Sequence, residues 1–318
     1  MLIKSSVTLH KIKWRFIPLL SALFALILST SPVYAESLIV LSRQSDTYQK
    51  VADSIQANLS SNTKIVTLQK LEHNNFNTTG FEHIIAIGSR AADRLYNRIS
   101  PSQKLYASFL PRLTYQALLV SKKDQARTKN GTITAVYLDQ PYARQLRLAR
   151  LIAPNANTIA TALGPNSKHD LPLLETAAQQ QQLQLNSTIL KESDNPIHKL
   201  QPLIRNADLF LSLPDKSVFN RTTAKWILYI SFRQRIPLIG FSQKYVEAGA
   251  LAAVFSSPEQ IGQQTAEIVQ QAISGSRLPE AQHPRYFTVI TNEKAARSLN
   301  IKIPTEDALT QQLMEQER

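Results

Sequence analysis

The chain has 318 residues, 43% of them apolar and 19% charged, a globular composition in a length that suits two domains or lobes. It contains no cysteine, which excludes disulfides, cysteine-based zinc sites, iron–sulfur clusters, a thiol nucleophile and a lipid-modified N-terminal cysteine. The formal charge is +13, glycine occurs only 8 times, and neither G-x-G-x-x-G nor G-x-x-x-x-G-K-[ST] is found, so the usual phosphate-cradling loops are missing.

Residues 1–35 read as a cleaved export segment. Lys4, Lys11, Lys13 and Arg15 precede an apolar run from Phe16 to Leu28, and Val33-Tyr34-Ala35 fits small-x-Ala cleavage before Glu36. The run is short for a membrane span of ~20 residues. Loss of those four basic residues lowers the charge from +13 to +9. The expected mature protein is soluble and periplasmic, and is not a lipoprotein.

From Glu36 onward, β-rich runs alternate with helical patterns. Strands are expected at 38–41, 65–68, 83–87, 105–109, 132–138, 158–163, 183–190, 208–213, 236–241, 250–255 and 286–290. Helices are expected at about 47–59, 90–98, 141–152, 169–182, 197–204, 222–233, 258–274 and 293–299. The tail from Thr305 is polar and reads as a surface helix. Arg144, Arg147 and Arg150 recur every three residues on one helix, which suggests a solvated face or attraction to an anionic ligand, partner or membrane surface.

Strict strand–helix alternation requires mainly parallel sheets covered by helices. Eleven strands exceed one typical doubly wound sheet, so two α/β lobes are expected, each a doubly wound parallel sheet, joined by a hinge. A (βα)₈ barrel is the competing solution. In such sheets ligands bind beyond the carboxyl ends of the strands. The residues that follow the strands are Ser42, Arg43 and Ser45; Gly88 and Ser89; Pro111, Arg112 and Tyr115; Tyr137, Asp139 and Gln140; Gly164, Pro165 and Asn166; Asp215 and Phe219; and Ser242 and Tyr245. Each could equally be a helix cap or turn former. Together they offer hydroxyls, carboxylates, arginines and rings, the mixture a small zwitterionic or aromatic ligand needs.

Several stretches resemble a known family. Tyr137-Leu138-Asp139-Gln140-Pro141 with Leu146–Ala156, the segment Asp208–Asn220, the block Arg235–Val269 with its Tyr-Val-x-Ala-Gly-Ala-Leu run, and Phe287–Pro304 are similar to the ABC-transporter substrate-binding protein family related to tryptophan/tyrosine binders. The similarity is strong from Thr132 onward and weaker before, where His83–Leu95 is the best piece. It implies a type I periplasmic binding-protein fold with three crossing segments. Lobe 1 is then 36–134 plus 243–280, lobe 2 is 135–242 plus 281–304, and 305–318 is a tail. Asn300 stands where the family usually has glycine, which should affect a helix end only.

The residues expected to hold ligand are Arg43, Ser45, Ser89, Arg112, Tyr137, Asp139, Asn166, Asp215, Phe219, Ser242 and Tyr245. Among them, Arg43 or Arg112 would take a carboxylate, Asp139 or Asp215 an amine, and Tyr137, Phe219 and Tyr245 would form aromatic walls. The six histidines form no metal-binding spacing, and no G-x-S-x-G elbow exists. Asp139 and Asp215 could pair for glycoside cleavage, though a helix-start and a turn carboxylate read as simply. No catalytic residue, metal or cofactor is expected, and no nucleic-acid motif is present.

The leading expectation is an extracytoplasmic solute-binding protein, possible ligands being an amino acid or other small carboxylate, that delivers its solute to an ABC permease. The alternatives are a ligand-sensing or interaction module for a membrane sensor or receptor, and a secreted hydrolase.

Overall fold

The computed structural model describes residues 37–119 and 131–317; the expected export leader, residues 1–35, lies outside the described residues. The strands fall into two sheets of five and six. The first contains β1 (Ser37–Leu41), β2 (Thr63–Thr67), β3 (His83–Ile87), β4 (Lys104–Leu110) and β5 (Ile133–Tyr137), in the order β2-β1-β3-β4-β5 with every pairing parallel. β1, β3 and β5 are buried along their whole length. Their unbroken apolar runs are what a parallel strand covered on both faces requires.

Helices fill both faces of this sheet. One carries α1 (Asp46–Asn58), whose Val51, Ala52 and Ile55 point into a core with Ile39, Ile85 and Tyr106. The other carries α2 (Leu68–His73), α3 (Ser89–Tyr96) and α4 (Arg112–Leu118), packed through Leu71, Ala92, Leu95 and Tyr115. α2 and α4 are short and were not expected from periodicity.

The second sheet has the order β11-β10-β9-β8-β6-β7. Its strands are β6 (Thr158–Leu163), β7 (Gln184–Ile189), β8 (Leu209–Leu211), β9 (Leu238–Gly240), β10 (Ala252–Phe255) and β11 (Thr288–Thr291), and only β10–β11 is antiparallel. Its helices are α5 (Tyr142–Ile152), α6 (Leu171–Gln180), α7 (Pro196–Arg205), α8 (Arg221–Gln234) and α9 (Gln243–Glu247). Two sheets with separate cores exclude the single barrel.

The chain passes between sheets three times. It leaves the first sheet between Tyr137 and Tyr142 and returns between Phe255 and α10 (Pro258–Ile273). It crosses again between Ile273 and Thr288. β5 therefore pairs in the first sheet, while α9 and β10 belong with the second, so the sequence boundaries at 134/135 and 242/243 do not coincide with the sheets. Both strands run straight into a crossing, and no change of composition marks it. α10 starts with a capping box, Ser257 with Gln260, and Pro258 at its first position. It packs on α1 at Gly262, where a Cβ would lie 2.6 Å from Ser54 Cβ and 2.7 Å from the Val51 carbonyl oxygen. Only glycine permits that approach.

After β11 come α11 (Glu293–Leu299) and α12 (Glu306–Glu315). Asn300 ends α11 in the left-handed conformation at φ 57°, the role a glycine would otherwise fill. The polar tail is more than a surface helix: Leu309 and Leu313 of α12 are fully buried, and the helix packs on β11 and α5. Residues 36–318 thus carry all three cores as one compact unit. Among the described residues no helix is long and apolar enough to cross a membrane.

Candidate functional site

The three crossings meet in one hydrogen-bonded hinge. Gln140, on the first, donates through Nε2 to Ser256 Oγ on the second at 2.8 Å, and Ser256 donates to the Tyr286 carbonyl on the third at 2.5 Å. Arg144 closes the circuit. Its Nη1 donates to Gln140 Oε1 at 2.6 Å and to the Pro284 carbonyl at 2.8 Å. Its Nε and Nη2 hold Glu317 beyond α12 at 2.8 and 2.5 Å. The guanidinium also lies 3.9 Å from the Phe287 ring centroid. Arg147 reaches Glu317 at 3.5 Å, and Arg150 donates to the carbonyls of Pro154, Ala156, Gln181 and Gln182. The arginine repeat is therefore neither a solvated face nor an anion site. Arg144 and Arg147 pair with the Glu317 side chain, and Arg150 ties the carbonyls that follow α5 to those at the end of α6.

A second bridge links the lobes beside the hinge. Arg112, at the start of α4, meets Asp170, at the start of α6, at 2.5 Å, and both side chains are largely buried. Tyr142 Oη also donates to Asp170 Oδ2 at 2.6 Å. Burial alone would lower the Arg112 pKa, but the hydrogen bond and charge of Asp170 more than offset it, so the guanidinium stays charged. Asp139 accepts the Arg112 backbone N–H at 2.7 Å, and the Asp139 carbonyl lies 2.8 Å from His283 Nδ1. Burial raises the Asp139 carboxyl above the usual range, and burial lowers His283 below its own.

Next to this hinge is a cavity of about 360 Å³. Its walls are apolar: Pro111, Leu138, Pro214, Phe219, Phe241, Val254 and Phe255. Its polar lining is Asp139, Gln140, Gln145, Asp215, Lys216, Ser242 and Ser256. Most of these residues come from the strand tips of the second sheet and from the crossings; Pro111 comes from the tip of β4. Gln145, on α5, is 1% exposed and donates through Nε2 to the Gln140 carbonyl at 3.1 Å, but its Oε1 has no hydrogen-bond partner among the described residues. A buried acceptor of this kind is satisfied by an ordered water or by a donor on something bound in the cavity that Gln145 lines.

Of the expected ligand residues, Asp139, Asp215, Phe219 and Ser242 line this cavity. Asp215 is fully committed, however. Its Oδ2 accepts from Ser167 Oγ at 2.5 Å and the Gly164 N–H at 3.2 Å, and its Oδ1 accepts from Ser217 Oγ at 2.5 Å and the Ser217 N–H at 2.9 Å. Burial would raise its pKa, but these bonds outweigh it and hold the carboxyl below the usual range. Asp215 braces the turn after β8 and is not free for an amine. The same crowding explains Gly164, where a Cβ would sit 1.9 Å from Ser217 Oγ.

The remaining expected residues lie elsewhere. Arg112 is spent on Asp170 and lines a separate 270 Å³ pocket with Tyr142 and His283. Tyr137 is core, 5.8 Å from the Tyr115 ring and 5.2 Å from that of His283, with its hydroxyl raised to about 12 by burial. Tyr245 does not line the cavity; its ring packs 5.0 Å from Phe241, which does. Ser45 caps α1 by accepting from the Tyr48 N–H, and Ser89 opens α3. Arg43 is exposed, with its guanidinium 5.8 Å from the Tyr48 ring, and Asn166 is exposed in the turn after β6.

Sequence reasoning missed Gln145, Lys216, Phe241 and Phe255 as lining residues. Lys216 and Phe241 were within reach, being the neighbours of Asp215 and Ser242 at strand tips. Gln145 lies inside a helix and carries no positional signal. Among the described residues no group of three His, Asp or Glu side chains is placed to hold a metal ion.

A family model described as ABC transporter substrate binding protein matches residues 49–312. No curated protein matches the sequence. Among solved structures, a substrate-binding protein with adhesive properties from Clostridium difficile, in its ligand-free, open form, aligns at 17% identity with a TM-score of 0.70, covering 86% of this chain and 97% of that one. A conserved domain protein from Vibrio cholerae aligns at 19% identity and TM-score 0.59, covering 87% and 97%. An ABC domain from Streptococcus pneumoniae in complex with L-Trp aligns at 16% and 0.57, covering 86% and 98%. The likeness to these structures is one of fold, the two-lobed type I periplasmic binding-protein architecture.

Proposed function

The chain belongs to the ABC transporter substrate binding protein family, and from that premise we propose that it captures one small solute in the 360 Å³ cavity beside the hinge and releases it to an ABC permease. The observation that carries this reading is the buried, unpartnered Oε1 of Gln145, a residue that lines a pocket walled by Phe219, Phe241 and Phe255. Apolar bulk of the solute rests on the rings. A donor on the solute, an amine, hydroxyl or ring N–H, satisfies Gln145. Lys216, exposed at the same cavity, supplies the cation for a carboxylate. An amino acid or other small carboxylate has these three parts.

Binding favours one arrangement of the lobes only if the solute binds it more tightly than the others. The crossings form the hinge, and closure brings the first-lobe tips at Arg43, Ser45 and Ser89 toward the solute. The reading is of capture and release without chemistry, by a protein whose residues 1–35 direct export and are removed in the course of it.

A thermal-shift screen over amino acids, small anions and nucleosides tests the reading. Ligand at ~100 times its Kd adds about 2.7 kcal/mol to stability, a shift of several degrees. If no small molecule moves the midpoint, solute capture is wrong.

A further inference from the structure

Outside the cavity, the most unusual surface is the outer face of α8. Tyr229 and Phe232 are 60% and 61% exposed, and Trp226 is half-buried against the second-lobe core. With Thr222, Lys225 and Arg233 they recur at helical spacing, so they form one stripe. Arg221, Thr222, Lys225, Trp226 and Tyr229 line a shallow open groove along it. From Arg221 to Arg235, α8 and its C-terminal residue carry Arg221, Lys225, Arg233 and Arg235 and no acidic residue. The neighbouring α7, which packs beside α8, adds His198, Lys199 and Arg205, again without an acid.

We propose that this face of α8 is a docking surface for an anionic lipid membrane, with Lys225 and Arg233 against the phosphodiester headgroups and Trp226, Tyr229 and Phe232 at the headgroup–acyl boundary. Trp and Tyr rings with a polar edge, a neighbouring Phe and interleaved cations are the side chains that favour that boundary. The stripe from Thr222 to Arg233 is about 17 Å long at 1.5 Å per residue, and lies flat on a surface. A second copy of the chain is disfavoured by charge, because a two-fold contact would set this cationic face against itself. Three rings on one convex helix are also too few for the roughly 800 Å² per partner of a stable protein interface. The inference does not rest on solute capture, so either can fail alone.

The test uses residues 36–318, in which Trp226 is the single tryptophan. The protein is mixed at low salt with vesicles of phosphatidylcholine alone, or of phosphatidylcholine with phosphatidylglycerol, and floated. Co-flotation with the phosphatidylglycerol vesicles only, weakened by salt and accompanied by a blue shift of Trp226 emission, is expected. The double variant K225E/R233E should lower partitioning on the order of tenfold or more. Y229S/F232S should weaken it while leaving the salt dependence in place. Circular dichroism and an unchanged thermal midpoint control for folding, and K225Q/R233Q provides a milder pair with an intermediate loss. No co-flotation at low salt, equal binding to both vesicles, or wild-type binding by K225E/R233E overturns the proposal. So does self-association in sedimentation that Y229S/F232S abolishes, which would assign the face to a second copy.

Discussion

Replacing Asp215 with Asn separates two roles that a cavity-lining carboxylate can have. The carboxylate takes four hydrogen bonds, two on each oxygen, from Gly164 N–H, Ser167 Oγ, Ser217 N–H and Ser217 Oγ. The serine hydroxyls can turn to accept from a new amide NH₂. A backbone N–H cannot, so D215N leaves either the Ser217 N–H facing a donor and unpaired, or the Gly164 N–H facing a donor but still bonded to Ser167 Oγ at 3.0 Å. In the second orientation no N–H is orphaned, so the cost is the loss of the charged acceptor, about 1.5–3 kcal/mol. At about 2–4 °C per kcal/mol, the ligand-free midpoint falls by roughly 3–12 °C. The folded-state pKa of Asp215 is depressed, so its contribution is present above the unfolded carboxyl pKa and is lost as pH falls through the lower folded value. D215N should therefore lose stability near neutral pH and much less at acid pH. The assay is thermal unfolding of wild type and D215N without ligand, from neutral to acid pH. A ligand-free midpoint unchanged by D215N, with only solute affinity lost, would refute the brace and restore Asp215 as an amine-binding group.

Three further outcomes follow from the same geometry. Gln145→Leu removes a buried acceptor that has no partner and also the 3.1 Å bond to the Gln140 carbonyl, two opposed effects, so ligand-free stability should change by no more than about 1.5 kcal/mol, while the stabilisation by ligand falls by about 1–3 kcal/mol. Asp170→Asn breaks the ion pair with Arg112, and the distribution of lobe–lobe distances between spin labels on α1 and α7 should broaden or shift, with solute affinity changed about 5–150-fold. Ending the chain at Pro304 removes Leu309 and Leu313 together with the Glu317 partner of Arg144, and should cost more than about 4 kcal/mol, read as lost cooperative unfolding of the second lobe.

The strand–helix alternation, the two lobes and the strand-tip location of the cavity were legible in the sequence because they follow from apolar periodicity and the parallel-sheet rule. Phe219 and Ser242, which that rule singles out, line the cavity. What the sequence could not convey was which polar groups were already paired. Arg112 and Asp215 look like free charges until the fold sets Asp170 beside one and Ser167, Ser217 and Gly164 around the other. Ser217 is only two residues from Asp215, but the other partners lie 48 to 58 positions away, and no local pattern encodes them. Tyr137 and Tyr245 sit at strand tips but turn into cores, since a tip position does not fix the direction of a ring. The opposite error hid Gln145, whose helical position conceals an orphaned oxygen. Arg144 read as one of a repeating series, yet its role depends on Glu317, at the far end of the chain.

The most direct trial is a crystal structure of the protein grown with a solute that raises its thermal midpoint. The solute should lie against Phe219, Phe241 and Phe255 with a donor within about 3.2 Å of Gln145 Oε1. Density for the same solute at any other place, with the hinge-side pocket holding only water, would contradict the account.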